Sequence, residues 1–445
     1  MKTSCIILAT DLEVQMRSAI PTALHLLLGK PLFQYAMDAV KDMCEEKPVI
    51  IIGDDNEEIQ KIVGDQVTIA VQEHPSGMGE AILQAKGKLP GESDMVLVTS
   101  ANQPLLSNDT LSYLVKEQSS NDGPITILTY YGENPGGMGC VARGEEGGIS
   151  NIVVEMQASP QELDAGVYCF SAAWLWENLP QISLSSEEED ILAELIRKAV
   201  AEGHNFKAVQ LENPQEALRI HNRVNLAEAE AALREQVNHE WMMAGVTFID
   251  PDRTYIDRDV KIGPDTIIFP DTYLYGECRI GEGCRLGPNS VIHRSIIGNR
   301  CTVLSSVIED AVIEDDVDIG PFSHMRKGAH LAQGVHIGNF GEVKNSYLGP
   351  DTKMGHFSYI GDGTIGTNVN IGAGTITCNF DGEKKNPTII EDDVFVGSDT
   401  MLVAPVKLEK GSRTGAGSVV TKDVPEKTIV AGVPARAVRK LEEND

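Results

Sequence analysis

The sequence predicts two folds in tandem, an α/β layer domain followed by a parallel β-helix. Three observations carry this. In residues 1–225 short apolar runs alternate with helix-like stretches. From Gly245 onward an aliphatic residue followed by Gly recurs, with several spacings of 6 or 18. Between them, 224–237 is rich in Ala, Glu and Leu and reads as a linking helix. We therefore expect an α/β domain over 1–225, a linker helix over 226–244 and a coil domain over 245–445, within the two or three domains that 445 residues allow.

In the first part, Ile6-Ile7-Leu8 reads as a buried strand and the stretch through 34–40 as a helix. The runs at 48–52, 67–71 and 95–99 repeat the strand pattern. Short buried runs with helices between them imply a mostly parallel sheet covered on both faces, a Rossmann-like layer. Ligands in such sheets bind beyond the carboxyl ends of the strands, so the segments after Leu8, Val71 and Thr99 are where chemistry is expected. The acidic run 185–190 reads as a helix start.

In the second part the repeated pairs include Ile262-Gly263, Ile280-Gly281, Leu286-Gly287, Ile365-Gly366 and Ile371-Gly372. A six-residue period fits a coil of triangular section. The aliphatic side chain points inward and stacks on its equivalent one coil away, and Gly fits where a β-carbon would be costly. Each coil needs neighbours to cover its core, so many coils are expected.

Composition is that of a globular protein, 42% apolar and 23% charged. With 37 Lys+Arg against 66 Asp+Glu the formal net charge is −29, which excludes a general attraction to nucleic acid or anionic membrane. An anionic substrate then needs a local basic cluster. No run approaches the roughly 20 apolar residues of a membrane span. The N-terminal apolar run stops at Asp11, so it reads as a strand and not as a signal peptide. Eight cysteines without a C-x-x-C pair suggest neither a zinc site nor a disulfide framework, and a reducing cytoplasm is the simplest home.

Arg326, Lys344 and Lys385 are three cations in this acidic background. Arg326 and Lys344 are separated by one full coil of the repeat, and so can share a face and clamp a phosphate; a pair of solvated surface cations is the competing reading. His356 is followed by Tyr359, Asn370 and Asn379. A neutral imidazole takes a proton from an amine near neutral pH.

The segments Gly338-Asn339-Phe340-Gly341-Glu342-Val343-Lys344, Gly355-His356-Phe357-Ser358-Tyr359-Ile360-Gly361-Asp362, 368–382 and 394–400 together resemble the bacterial bifunctional N-acetylglucosamine-1-phosphate uridyltransferase/glucosamine-1-phosphate N-acetyltransferase family. The resemblance spans the whole chain and is most specific over about 320–420. It implies a nucleotidyltransferase-type first domain, then a left-handed β-helix that forms a cytoplasmic homotrimer with active sites between subunits. It implies acetyl transfer from acetyl-CoA to the amine of glucosamine 1-phosphate, on the way to UDP-N-acetylglucosamine and cell-wall precursors. Carried over residue by residue, Arg326, Lys344 and Lys385 would hold the sugar phosphate, and Tyr359 and Asn370 the sugar. His356 would be the general base, oriented by Glu342. Asn379, Phe380, Ala373, Ser398 and Ala416 would line the acetyl-CoA site. The Arg expected near the cofactor falls at Val433, with Arg436 as its substitute.

The same family opens with a nucleotide loop of the form L-A-A-G-x-G-T-R-M, then P-K. Here the loop reads Leu8-Ala9-Thr10-Asp11-Leu12-Glu13-Val14-Gln15-Met16, then Pro21-Thr22. Asp11 and Glu13 replace glycines, and Gln15 and Thr22 replace the Arg and Lys. At an effective dielectric of ~20, two like charges ~4 Å apart cost about 4 kcal/mol, so carboxylates there oppose a triphosphate. The metal-binding Asp falls at Asn102, an amide that coordinates a hard cation without attracting it by charge. The N-N-R segment reads His221-Asn222-Arg223, the G-Y-G-R loop reads Gly137-Met138-Gly139-Cys140, and the E-x-K Lys is missing after Val154-Glu155-Met156. Gln72, facing the uracil, and the turn at Gly77 look serviceable. The leading expectation is an acetyltransferase with a degenerate uridyltransferase domain and no resident metal. A fully bifunctional enzyme using Mg²⁺ is the alternative, and a non-catalytic scaffold is the reading from another class.

Overall fold

The computed structural model describes residues 1–10, 15–53, 57–73, 77–89, 92–132, 139–144, 149–153, 160–182, 191–204 and 206–442. The expectations placed on Asp11, Glu13, Gly137, Met138, 154–156 and 185–190 lie outside the described residues. The chain forms two compact units, Met1–Leu233 and Arg234–Asp445.

The first unit runs β1 (Thr3–Ala9), β2 (Leu26–Leu27), β3 (Lys30–Pro31), α1 (Leu32–Val40), β4 (Val49–Gly53), α2 (Glu57–Val63), β5 (Thr68–Gln72), α3 (Met78–Ala85), β6 (Met95–Ser100), α4 (Asn108–Ser119), β7 (Ile125–Gly132), β8 (Cys140–Arg143), β9 (Ile149–Val153), β10 (Gln161–Ser171), α5 (Ala172–Asn178), α6 (Ile191–Ala201) and β11 (Lys207–Gln210), then α7 (Arg223–Met243). The main sheet has the order β11-β7-β10-β6-β1-β4-β5. Its half β6-β1-β4-β5 is parallel, and β10 runs antiparallel to β6 and β7. Val49 to Ile52 is an unbroken aliphatic run because both faces of β4 are covered. Ile50 and Ile52 pack with Val40 and Leu111 on one side, Val49 and Ile51 with Ala81 and Ile82 on the other.

Parallel pairing brings the ends of β1, β4, β5 and β6 to one edge. Two backbone bonds tie the segment before α7 onto that edge: Ile220 N–H donates to Asn102 O at 2.8 Å and Gln15 N–H to His221 O at 2.7 Å. One expectation about cysteine is corrected here. The structure pairs Cys5 with Cys44 in a disulfide, because Cys5 points from β1 into the layer where Cys44 follows α1. The other six cysteines form no disulfide among the described residues.

The second unit is the β-helix that the repeats predict: three sheets of 12, 10 and 9 strands, one per face. On the nine-stranded face Ile280, Ile297, Ile313, Leu331, Leu348, Ile365, Ile390 and Leu408 stack in register, each 5% exposed or less. The length of a coil is not constant. Ile262 pairs with Ile280, but the next two steps, Ile280 to Ile297 and Ile297 to Ile313, are each shorter than the one before. The step from Ile371 to Val396 is much longer, because a loop after Cys378 is inserted. Gly is demanded where coil backbones touch: a β-carbon on Gly338 would meet the Gly355 carbonyl carbon at 2.7 Å. Where a left-handed corner does not use glycine it is filled mostly by Asp and Asn, among them Asp316, Asn345, Asp351 and Asn368, whose short polar side chains tolerate positive φ.

Two adjacent isoleucines test this architecture. Ile390 is 1% exposed and Ile389 is 40% exposed on the same strand. Ile390→Ala is expected to cost about 2–5 kcal/mol in chemical denaturation, and Ile389→Ala no more than about 0.5 kcal/mol.

Candidate functional site

Coil register converts a sequence spacing of one coil into side-by-side contact, and two columns of functional side chains follow from it. On the 12-stranded face Asn339 pairs with His356. The pairs Met354 with Ile371, Ile371 with Val396, and Phe395 with Arg413 carry the same register onto Ala373, Ser398 and Ala416. Backbone bonds along the column agree: Phe357 N–H to Asn339 O, Asp399 N–H to Ala373 O and Gly417 N–H to Ser398 O. Asn339, His356, Ala373, Ser398 and Ala416 thus descend one corner. Arg436 pairs with Ala431 at the far end of the same sheet.

On the next face Met325 pairs with Val343, which aligns Arg326 on Lys344, and Lys344 pairs with Gly361. Glu342 pairs with Tyr359 in the same sheet. Lys385 reaches this cluster from the inserted loop. The neighbouring Lys385 ammonium, and after it the Arg326 charge, hold the Lys344 ammonium below its ordinary value, as expected where three cations converge. The loop is organised by Asp381, whose carboxylate accepts from the backbone N–H of Lys384 and Glu383 and from Asn386 Nδ2 at 2.8–2.9 Å. These bonds hold its carboxyl down to about 2.

The structure gives His356 a partner other than the expected Glu342. Its Nδ1 lies 2.5 Å from Asn339 Oδ1, whereas Glu342 Oε1 accepts from Arg326 at 2.7 Å. An amide oxygen can only accept, so a neutral imidazole in this contact carries its proton on Nδ1 and its lone pair on Nε2. Sequence reasoning places Asn339 inside a motif but gives it no role; the signal that could have done so is its spacing of one short coil from His356. Asp362 is likewise without a role in the sequence. It accepts from Asn345 Nδ2 and Asn379 Nδ2, both at 2.6 Å, and so fixes the corner carrying Asn379.

One chain does not assemble every expected residue. Asn370 pairs with Lys353, at the opposite end of the strand from His356, and lies on a different face from Tyr359. Asn379 and Phe380 lie beyond Tyr359 on the side of Lys385, away from the Ala373–Ser398–Ala416 column.

In the first unit the carboxyl edge of the sheet carries buried polar atoms without partners. Gln72 is 3% exposed; its Nε2 donates to Gly77 O at 3.1 Å and to Glu80 at 2.5 Å, and its Oε1 has no partner. Thr99 Oγ1, Asn102 Oδ1 and Gln103 Oε1 are in the same condition. Asn102 offers a lone pair but no charge, and the Asn222 oxygen is occupied in capping α7 through the N–H of Val224 and Asn225. Among the described residues no trio of His, Cys, Asp and Glu is placed to hold a metal. These donors do not fit a resident Mg²⁺, which wants carboxylate or phosphate oxygens.

Comparison with known proteins matches both units. A nucleotidyl transferase family model covers residues 17–240, a bacterial transferase hexapeptide model of six repeats covers 259–294, and a model named for the hexapeptide repeat of succinyl-transferase covers 387–422. The chain is 40% identical over 445 residues to the bifunctional protein GlmU of Thermosipho africanus, covering 99% of this chain and 96% of that one. It is 39% identical over 432 residues to the GlmU of Exiguobacterium sibiricum, with 96% of each covered. It is 40% identical over 435 residues to that of Geotalea uraniireducens, covering 96% and 95%.

Two experiments test the geometry. A β-carbon on Gly361 would lie 2.7 Å from Asn379 Nδ2 and against the Tyr359 hydroxyl, whereas one on Gly355 meets nothing within 4 Å. Gly361→Ala is expected to cost about 1–3 kcal/mol in denaturation and to displace Tyr359, with Gly355→Ala near neutral. For the loop, a carboxyl whose folded pKa is depressed contributes stability above its unfolded value of about 3.9, and that contribution is lost as pH falls towards 2. Amides of Glu383 and Lys384 are expected to exchange faster in Asp381→Ala than in wild type at pH 5–7, with the difference shrinking below about pH 4.

Proposed function

Because the chain belongs to the GlmU family of bifunctional proteins, we propose that its second unit transfers the acetyl group of acetyl-CoA to the amine of glucosamine 1-phosphate. The observation that carries this reading is the convergence of Arg326, Lys344 and Lys385 one corner away from an imidazole whose Nε2 is free to accept a proton. In this mechanism the three cations bind the sugar phosphate, and Tyr359 and Asn370 hold the ring. His356 Nε2 takes the amine proton as nitrogen attacks the thioester carbonyl, and the thiolate of CoA leaves. Asn339 fixes the imidazole tautomer. The thioester lies along Ala373, Ser398 and Ala416, where small side chains leave room, with Arg436 at the end of that sheet for a cofactor phosphate; Asn379 and Phe380 complete the cofactor site from the loop side.

The division of these residues between faces supports a homotrimer with sites shared between subunits. Asn370, Ala373, Ser398 and Ala416 of one copy then meet His356, Tyr359, Lys344 and the Lys385 loop presented by another. The described residues include no helix long and apolar enough to cross a membrane.

For the first unit, Gln15 and Thr22 stand where the family's phosphate-binding cations belong, and Asn102 stands in place of its metal carboxylate. We read uridylyl transfer as weakened there. The second reading is a fully bifunctional enzyme with Mg²⁺ supplied alongside the nucleotide. It is favoured by the name the relatives carry and by the unpartnered polar atoms at the sheet's carboxyl edge.

Two half-reactions on one sample decide. Thiol release from acetyl-CoA with glucosamine 1-phosphate is expected at an enzymatic rate, and pyrophosphate release from UTP, Mg²⁺ and N-acetylglucosamine 1-phosphate far more slowly. His356→Ala is expected to lower thiol release by about 10²–10⁴-fold, and Lys344→Ala to raise KM for the sugar phosphate by roughly 10- to 100-fold. If His356→Ala leaves the rate unchanged, the proposed base is wrong. Phosphate binding also relieves the repulsion that depresses Lys344, so its pKa rises on binding. Calorimetry near pH 10 in buffers of different ionisation enthalpy is expected to show proton uptake that is absent at pH 7.

A further inference from the structure

The carboxyl edge of the first unit's sheet carries a cation that no part of the acetyl-transfer reading uses. Arg219 precedes α7, in the segment that Ile220 N–H ties to Asn102 O at 2.8 Å. Its guanidinium lies against Gly166, in the irregular stretch of β10 between Asp164 and Tyr168. A β-carbon on Gly166 would overlap the guanidinium and lie 3.1 Å from Nε, and Gly166 has φ +72°, so this seat needs glycine twice over. Gln103 Nε2 donates to Ala165 O at 2.8 Å, which places this stretch beside the loop bearing Asn102.

Arg219 Nε is buried and has no hydrogen-bond partner, and among the described residues its guanidinium forms no ion pair. The nearby Asp164 carboxylate is engaged elsewhere: Oδ1 accepts from Gly166 N–H and Oδ2 from the Tyr168 hydroxyl, both at 2.7 Å. Burial pushes the Tyr130 phenol up and the Arg219 charge is the first influence drawing it back, which sets the guanidinium near Tyr130 as well. An unpaired guanidinium in a chain of net charge −29, amid buried carboxamide oxygens that also lack partners, is the signature of a ligand not yet in place.

We propose that Arg219 is the anion anchor of the first unit and binds the phosphate of a small organic phosphate, either a sugar 1-phosphate or a nucleotide. The guanidinium fork matches phosphate oxygens, and the adjacent carboxamide oxygens of Asn102 and Gln103 accept from hydroxyl or N–H groups on the rest of the ligand. It supplies the positive charge that Gln15 and Thr22 no longer bring. The assignment rests on the reading that this edge is a ligand crevice.

The test uses the full chain with Arg326→Ala, Lys344→Ala and Lys385→Ala, so that the second unit's three cations do not contribute. Calorimetry follows N-acetylglucosamine 1-phosphate and UTP, with N-acetylglucosamine and uridine as phosphate-free controls. Adding Arg219→Ala is expected to weaken binding of the phosphate ligand by roughly 10- to 100-fold, with Arg219→Lys in between and the controls unmoved. Which of the two phosphates binds the parent identifies the source. In the otherwise wild-type chain Arg219→Ala is expected to leave acetyl transfer unchanged, and the amide-exchange protection of the first unit's central strands β4 and β6 is expected to match the parent, which shows that this unit is still folded. If the parent binds neither phosphate, the crevice reading itself fails. If the parent binds and Arg219→Ala binds equally well, or loses the phosphate-free controls to the same extent, the crevice stands and the anchor is overturned.

Discussion

Backbone contact between coils governs the second unit. Where Gly338 meets Gly355 there is no room for a β-carbon, so successive coils are held at their closest approach and in one register. Every outward side chain inherits its neighbours from that register. Arg326 lies over Lys344, and Asn339 beside His356, because the aliphatic positions next to them, Met325 with Val343 and Ile337 with Met354, are locked in the core. A loop-borne site would have to order each side chain at a conformational cost. Here the fold has already ordered the backbone, and only side-chain rotamers remain to be fixed.

That constraint also explains what the sequence reveals. An Ile-Gly pair has a local cause, an inward side chain followed by a close backbone approach, and is legible wherever it occurs. The partnership of Asn339 with His356 has a non-local cause. It depends on that coil falling one short of three full hexads, whereas an unbroken repeat pairs His356 with Gly338 and leaves Asn339 without a role. The resemblance assigns Glu342 to the imidazole, but register sets it next to Tyr359 and within reach of Arg326, whose charge it takes. Lys385 is legible as a residue type. Its position is not, because it hangs on an inserted loop shaped by Asp381.

In the first unit the strands are legible because β4 and β6 are buried on both faces and read as continuous aliphatic runs. Arg219 is not, since an arginine just before a helix looks like a solvated residue until β10 is seen to present Gly166 beneath it. The Cys5–Cys44 pairing is hidden for the same reason: nothing in the spacing of the two cysteines shows that β1 and the end of α1 share one layer.

Charge sets the terms on which both units meet anionic substrates. With net charge −29 the protein repels a phosphate at long range. At physiological ionic strength that field is screened within about 8 Å, so only groups near contact decide binding. In the second unit three cations crowd together and depress Lys344, so an arriving phosphate removes a repulsion as well as forming bonds. In the first unit a single guanidinium stands unpaired against Gly166. The two sites therefore differ in kind. The clustered cations gain most from a dianionic phosphate and lose that gain as Lys344 deprotonates, whereas the lone arginine keeps its charge at every accessible pH. A phosphate held by the first unit should thus keep its affinity at alkaline pH where one held by the second begins to lose it.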